Sequence, residues 1–197
     1  MKNRIARIGL VGVIALVAVG GVGAFPAVEL GVSGAAGSMD GETVGQATVE
    51  GAVRVTTWLD VRVDATAVHT LERSYKDADG NAYQAEAGWS TAGLRPFVTL
   101  GERVEIGVPL SSGAGTLQFR YERPHRDEVA WTEEILDRET FGITTAGLDV
   151  VVRVSDRWSV VVEGGGRTTS PLRPVVDFDR SALNGWYAGI GTTYRIK

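Results

Sequence analysis

The segment 147–164 constrains the fold more than any other part of the chain. Its first run alternates Leu148, Val150, Val152 and Val154 with Asp149 and Arg153, and its second run alternates Trp158, Val160 and Val162 with Ser159 and Glu163. A period of two in two runs joined by a short polar turn predicts a β-hairpin. The second face carries charges of both signs in mid-strand, and a closed barrel can pair such charges in its interior. We therefore take this hairpin as the repeating unit of a small barrel.

Similar alternation recurs along the chain and predicts eight strands in all. The other six are expected at 27–36, 45–56, 59–67, 83–98, 103–110 and 186–196, with the strand before the 154–158 turn entering from residue 141. We expect a bulge near 91–93, where the alternation slips. Links after the second, fourth and sixth strands are short, whereas the others are longer, including 111–140 and 167–184. Within the first of these, 116–122 could extend a strand and 132–137 could form a helical turn.

The N-terminus has the three-part layout of a secretory signal peptide. Lys2, Arg4 and Arg7 precede an apolar run from 8 to 22, and the small residues at 22–24 suit a signal peptidase. The run is shorter than the roughly 20 residues that a membrane-spanning helix needs. We expect cleavage after Ala24, which leaves residues 25–197 as a single barrel domain.

Composition narrows the classes of function. The chain has no cysteine, two histidines and a formal net charge of −4. A nucleic-acid partner is not expected from this charge, and neither a metal nor another cofactor is expected. His69 and His125 lack a neighbouring nucleophile in a recognisable pattern, so we do not expect an enzyme.

The alternating hairpins, above all 147–164, and the final strand 186–197 resemble the small eight-stranded outer-membrane β-barrels of the OmpA/OmpX type. Short turns on one side and long loops on the other are typical of transmembrane barrels. The resemblance implies an all-β, antiparallel up-and-down transmembrane barrel in the outer membrane of a Gram-negative-type bacterium. Outer-membrane lipids and the barrel assembly machinery, which reads the last strand, are the implied partners. Such proteins usually end on an aromatic residue, whereas this chain ends on Ile196-Lys197.

The barrel hypothesis assigns each parity a face. The apolar parity should contact lipid, because only a closed barrel pairs all strand backbone groups in hydrocarbon. The other parity should form a charge network inside the lumen: Glu29, Glu50, Arg54, Asp60, Arg62, Asp64, Glu86, Arg103, Glu105, Asp149, Arg153, Glu163 and Arg195. The predicted interface aromatics are Trp58, Trp158, Trp186 and Tyr194.

Three functions fit this pattern. The first is an envelope-stabilising or surface-interaction role in which loops 111–140 and 167–184 meet an extracellular partner. The second is a narrow porin-like channel for ions or small solutes, suggested by the charged lumen. The third is a soluble lipocalin-like binding barrel, in which the apolar parity would line an internal cavity and the charges would face water.

Overall fold

The computed structural model describes residues 27–39, 41–68, 75–76, 82–121, 135–170 and 181–196. The predicted leader 1–24 and both histidines lie outside these ranges. The strands are β1 (Val28–Met39), β2 (Glu42–Thr56), β3 (Leu59–Val68), β4 (Tyr75–Lys76), β5 (Ala82–Leu100), β6 (Val104–Gly107), β7 (Leu110–Tyr121), β8 (Ile135–Arg153), β9 (Trp158–Thr169) and β10 (Gly185–Ile196). Among the described residues, no helix is long and apolar enough to cross a membrane.

The strands close into an antiparallel ring. Sequential neighbours pair along the chain, β3 pairs with β5, and β1 pairs with β10 to close the sheet. The short β6 and the longer β7 form one interrupted barrel strand, since both pair with β5 on one side and β8 on the other. The two-residue β4 only extends the loop end of β5. The predicted eight-stranded up-and-down barrel is therefore confirmed.

The register fixes the stagger of the ring. A path of directly paired residues runs from Val28 through Val53, Val61, Leu94, Leu110, Ala146 and Gly166 to Trp186. The last ladder pair between β10 and β1 is Tyr187 with Gly37, so Trp186 stands opposite Ser38. One circuit thus returns to β1 ten residues above its start, from 28 to 38. In an eight-stranded barrel this stagger corresponds to a strand tilt of about 40° and a lumen that side chains can fill.

The apolar parity faces outward and the polar parity faces the lumen, as the alternation predicts. Large apolar side chains of the outer parity are exposed, as shown by Val32 at 58%, Leu148 at 62% and Ile190 at 61%. The inner parity carries buried polar groups such as Asp60, Thr91 and Asp149. This is the opposite of a lipocalin-like barrel, whose apolar parity would line the interior.

Several strands extend further than the sequence indicated. β5 and β8 contain 19 residues each, and the possible strand extension at 116–122 is confirmed for 116–121, where β7 continues to Tyr121. Most of the expected loop 111–140 is therefore strand, and only 122–134 lies outside the described residues. The helical turn predicted at 132–137 is wrong for 135–137, because these residues belong to β8. The bulge expected near 91–93 is also wrong, since β5 pairs through this region without a register shift.

At the end of the barrel where β1 begins and β10 ends (the terminal end), the connections are short, as predicted. At the opposite end the first link is shorter than expected, because β1 ends at Met39 and β2 begins at Glu42. Gly41 makes this tight turn with φ +77°, and Gly101 serves the link between β5 and β6 with φ +63°. Side chains other than glycine rarely adopt such backbone angles, which explains why glycine occupies both turns.

Candidate functional site in the barrel interior

An ion-pair network centred on Arg95 fills the half of the lumen nearest the terminal end, where β1 begins and β10 ends. Arg95 is 4% exposed, and its Nη2 lies 2.6 Å from Oδ1 of Asp149. Its Nη1 lies 3.0 Å from Asp60 and 3.3 Å from Glu105. One guanidinium therefore joins carboxylates from three other strands, β3, β6 and β8. Buried charges are tolerated when they are paired and hydrogen-bonded in this way.

Two further arginines complete the network on either side of Arg95. Arg54 of β2 donates to Asp60 at 3.1 Å and to Glu105 at 2.9 Å. Arg62 of β3 pairs with Glu50 and with Asp149, the latter at 3.2 Å. Arg54 also lies 4.4 Å from the centre of the Phe97 ring, a cation–π contact. The network thus links strands on opposite sides of the ring through side chains alone.

Around the central arginines, the remaining charged residues of the inner face make fewer contacts. Arg195 of β10 donates to Glu29 of β1 at 2.5 Å, which bridges the seam where the ring closes. Arg153 lies 3.6 Å from Glu105. Asp64 and Glu163 make no ion pair within the described part of the chain. They accept hydrogen bonds from Thr91 at 2.5 Å and from Ser33 at 3.1 Å, respectively.

Eleven of the thirteen residues predicted for the lumen lie on the inner parity of their strands: Glu29, Glu50, Arg54, Asp60, Arg62, Asp64, Glu105, Asp149, Arg153, Glu163 and Arg195. The placement of Glu86 and Arg103 in the lumen is wrong. Glu86 shares the outer parity of β5 with Leu94, opposite Gln118 of β7. Arg103 is exposed in the turn before β6, where its carbonyl oxygen accepts a hydrogen bond from the backbone of Arg153.

Arg95, the centre of the network, is absent from the predicted lumen residues. The expected bulge at 91–93 made the parity beyond it uncertain, although Thr91, Arg95 and Phe97 share one parity throughout. Arg167 is absent from the prediction as well, because the sequence predicts a loop from 167 onward. Continuing the inside–outside alternation without a break through β5 and β9 places both arginines in the lumen.

Glycines on the inner face make room for the long side chains. A Cβ atom at Gly107 would lie 2.6 Å from Nε of Arg95 and 2.7 Å from Oδ1 of Asp149. A Cβ atom at Gly31 would lie 2.5 Å from Oε1 of Glu50. Both distances are too short for a real Cβ atom, so these positions exclude larger residues while the network stays in place.

An apolar cap lies on the inner face at the end opposite the terminal end. It comprises Met39, Val44, Val68, Ala85, Ala87, Trp89, Leu117, Phe119, Phe141, Ile143, Ala182 and Leu183. Between this cap and the ion pairs is a polar cavity of about 70 Å³. The interior therefore has three layers along the barrel axis: ion pairs, polar cavity and apolar cap.

The predicted interface aromatics fall at both ends of the outer surface. Trp58 and Trp158 are exposed at the turns of the terminal end, at 56% and 49%. Trp158 packs edge-on against Tyr194 with ring centroids 5.0 Å apart, and Arg157 donates to the Tyr194 hydroxyl at 3.1 Å. Trp186 is the second residue of β10, at the other end, and is 51% exposed. Three of the four predicted interface aromatics therefore lie at the terminal end, and Trp186 alone lies at the other end.

In the described ranges, no group of three or more His, Cys, Asp or Glu side chains is arranged to hold a metal ion. What the interior can do chemically is hold opposite charges together away from water.

No protein-family profile matches the chain, and no curated protein matches it.

Solved structures match the fold at low sequence identity. Ail, the attachment invasion locus protein of Yersinia pestis, crystallised with the heparin analogue sucrose octasulfate, is 11% identical with a TM-score of 0.50, over 86% of this chain and 97% of Ail. Neisserial surface protein A is 9% identical with a TM-score of 0.53, over 86% and 96% of the two chains. A major outer membrane protein of Thermus thermophilus is 14% identical with a TM-score of 0.51, over 86% and 99%. The fold is that of small outer-membrane β-barrels.

Proposed function

We propose that this protein is an integral outer-membrane β-barrel with a structural or surface-interaction role. The observation that carries the proposal is the division of the closed ring into an exposed apolar outer face and an inner face filled by ion pairs. Exposed apolar surface on every side of a barrel is unfavourable in water and favourable in lipid. The shared fold with known outer-membrane proteins supports the same location.

The filled interior favours a structural role over transport. Arg95, Arg54 and Arg62 cross the lumen at one level, and Phe141 and Leu117 belong to the apolar cap at another. A water-filled path along the axis would have to pass both layers. A narrow channel remains the alternative function, and its test is separate from that of membrane location.

The surface role would belong to the end with the longer connections. In the proposed orientation, the short turns and both termini face the periplasm, and the connections within 122–134 and 171–180 face the exterior. β5, β7 and β8 extend toward that end, and their inner faces are held by the cap. An extracellular partner would therefore meet connections that join strands whose inner faces pack in the cap.

Membrane fractionation with gel migration before and after boiling tests the proposal. We expect the protein in the outer-membrane fraction, with a faster-migrating band that shifts on heating. Recovery in the soluble periplasmic fraction without a heat shift would overturn the proposal.

Planar-bilayer recordings separate the two membrane functions, since regular conductance steps would favour the channel. Deletion of 123–133 should leave the heat shift intact, and its loss would count against a display role for that connection.

A further inference from the structure

Arg167 of β9 is a buried cation that the network leaves out. It is 3% exposed, its Nε donates to the carbonyl oxygen of Leu183 at 2.8 Å, and its Nη2 donates to the carbonyl oxygen of Ser38. Its Nη1 is buried and has no hydrogen-bond partner. Arg167 forms no ion pair with a carboxylate of the described residues. A buried charge without a counter-charge is costly, so this position calls for a partner.

A second unpartnered donor points to the same place. Nε2 of Gln46 is also buried without a hydrogen-bond partner. A Cβ atom built on Gly37 would overlap this nitrogen and would lie 3.3 Å from Nη1 of Arg167. Both donor atoms therefore lie around one point beside the Gly37 backbone. The backbone carbonyl oxygen of Trp186 lies 2.9 Å from the same point, but neither donor atom forms a hydrogen bond with it. Two converging donors that are left without a hydrogen-bonded acceptor define a site for one.

The polar cavity provides room for that acceptor. Arg167 and Gln46 both line it, together with the hydroxyl-bearing residues Thr48, Thr66, Ser111 and Thr145. Its volume of about 70 Å³ suits a monatomic ion or a few water molecules. Trp89 also lines the cavity, and the centre of its ring lies 5.3 Å from the Arg167 guanidinium carbon.

The carboxylates at the other end of the cavity do not reach Arg167. Glu163 precedes it by four residues on β9, roughly 13 Å along an extended strand. Glu163 and Asp64 are held by Ser33 and Thr91, and Glu50 is paired with Arg62. The positive end of the cavity is thus separated from its negative end.

We propose that the cavity holds a small monovalent anion of halide size between Nη1 of Arg167 and Nε2 of Gln46. Water could accept both hydrogen bonds but would not neutralise the guanidinium, whereas a halide does both. The Trp89 ring supplies only part of the missing negative potential. The ion would stabilise the barrel end at which Arg167 ties Leu183 to Ser38.

Bromide is the probe, and Trp89 is the reporter. Four substitutions, at Trp58, Trp131, Trp158 and Trp186, each to Phe, leave Trp89 as the sole tryptophan. The single-tryptophan variant is refolded into detergent in sodium bromide or in sodium gluconate at equal ionic strength. Refolding gives bromide access to the cavity before the barrel closes. We expect a saturable loss of Trp89 emission with bromide, because a bound heavy ion quenches the adjacent ring. Acrylamide should give only weak, non-saturating quenching.

Two variants test the assignment. Arg167→Gln should remove the saturable bromide effect. Gln46→Glu places a carboxylate beside Arg167 and should also remove the effect while preserving the heat-shifted folded band. The absence of saturable quenching in the parent protein, as expected for water alone or for an amide whose oxygen accepts from Arg167, would overturn the proposal. Saturable quenching that persists in folded Gln46→Glu would overturn it as well, even if Arg167→Gln fails to fold.

Discussion

Arg95 and Asp149 pair across a strand that lies between them. Arg95 belongs to β5 and Asp149 to β8, yet Nη2 and Oδ1 are 2.6 Å apart because Gly107 of the intervening β6 has no side chain. Asp149 also accepts from Arg62 at 3.2 Å. A pair that skips a strand ties the ring together independently of its backbone ladder.

Removing the central cation should destabilise the barrel strongly. In Arg95→Gln the carboxylates of Asp149, Asp60 and Glu105 lose a shared partner, so the free energy of unfolding should fall by about 3–5 kcal/mol. Urea titration of protein folded in lipid vesicles measures this. Arg103→Gln is the matched control, since its side chain is exposed in a turn and the change should stay within about 0.5 kcal/mol. Equal effects of the two substitutions would contradict the network described above.

Adding one methyl group at Gly107 should disturb the same pair. Its Cβ atom would lie 2.6 Å from Arg95 and 2.7 Å from Asp149, so Gly107→Ala should cost about 1–3 kcal/mol of unfolding free energy. Gly34→Ala is the control, because nothing lies within 4 Å of a Cβ atom there. The same urea titration compares them. A neutral Gly107→Ala would show that the pair can shift without loss.

A lysine on the outer face should be tolerated only outside the apolar belt. Val162 is 53% exposed at the middle of the proposed membrane span, and Val162→Lys should cost about 2–4 kcal/mol in a bilayer. Thr168 lies on the same face of β9, six residues further toward the loop end, and Thr168→Lys should cost no more than about 1 kcal/mol. Folding yield and stability in vesicles measure both. If the two lysines cost the same, β9 does not cross a bilayer in the proposed orientation.

Truncation inside the apolar cap should be costly, whereas truncation outside the barrel should not. Phe141 is 2% exposed within the cap, and Phe141→Ala should lower the unfolding free energy by about 3–5 kcal/mol. Leu148 lies on the same strand but faces outward at 62% exposure. Leu148→Ala leaves no internal cavity and should have a much smaller effect. The temperature at which the folded gel band disappears ranks the two variants, and the reverse ranking would place the core outside the ring.

The local pattern of this sequence determined the strands and their faces. Period two in segments such as 147–164 follows from the pleat, which sends successive side chains to opposite sides, and this information is local to each strand. It was sufficient to assign Asp149, Arg153 and Glu163 to the interior and Leu148 and Val162 to the exterior. It was insufficient at 135–140, where a helical turn and polar residues concealed the start of β8.

Only the tertiary structure decided which inner residues meet. The partners of Arg95 depend on the register of every strand pair and on the ten-residue stagger that accumulates around the ring, and no local pattern contains that sum. The cap and the contacts of Arg167 with Leu183 and Ser38 have the same origin, because they unite residues that are distant in the chain. The pleat of a strand depends on neighbouring residues in the chain, whereas contacts across the lumen depend on how the whole sheet closes into a ring.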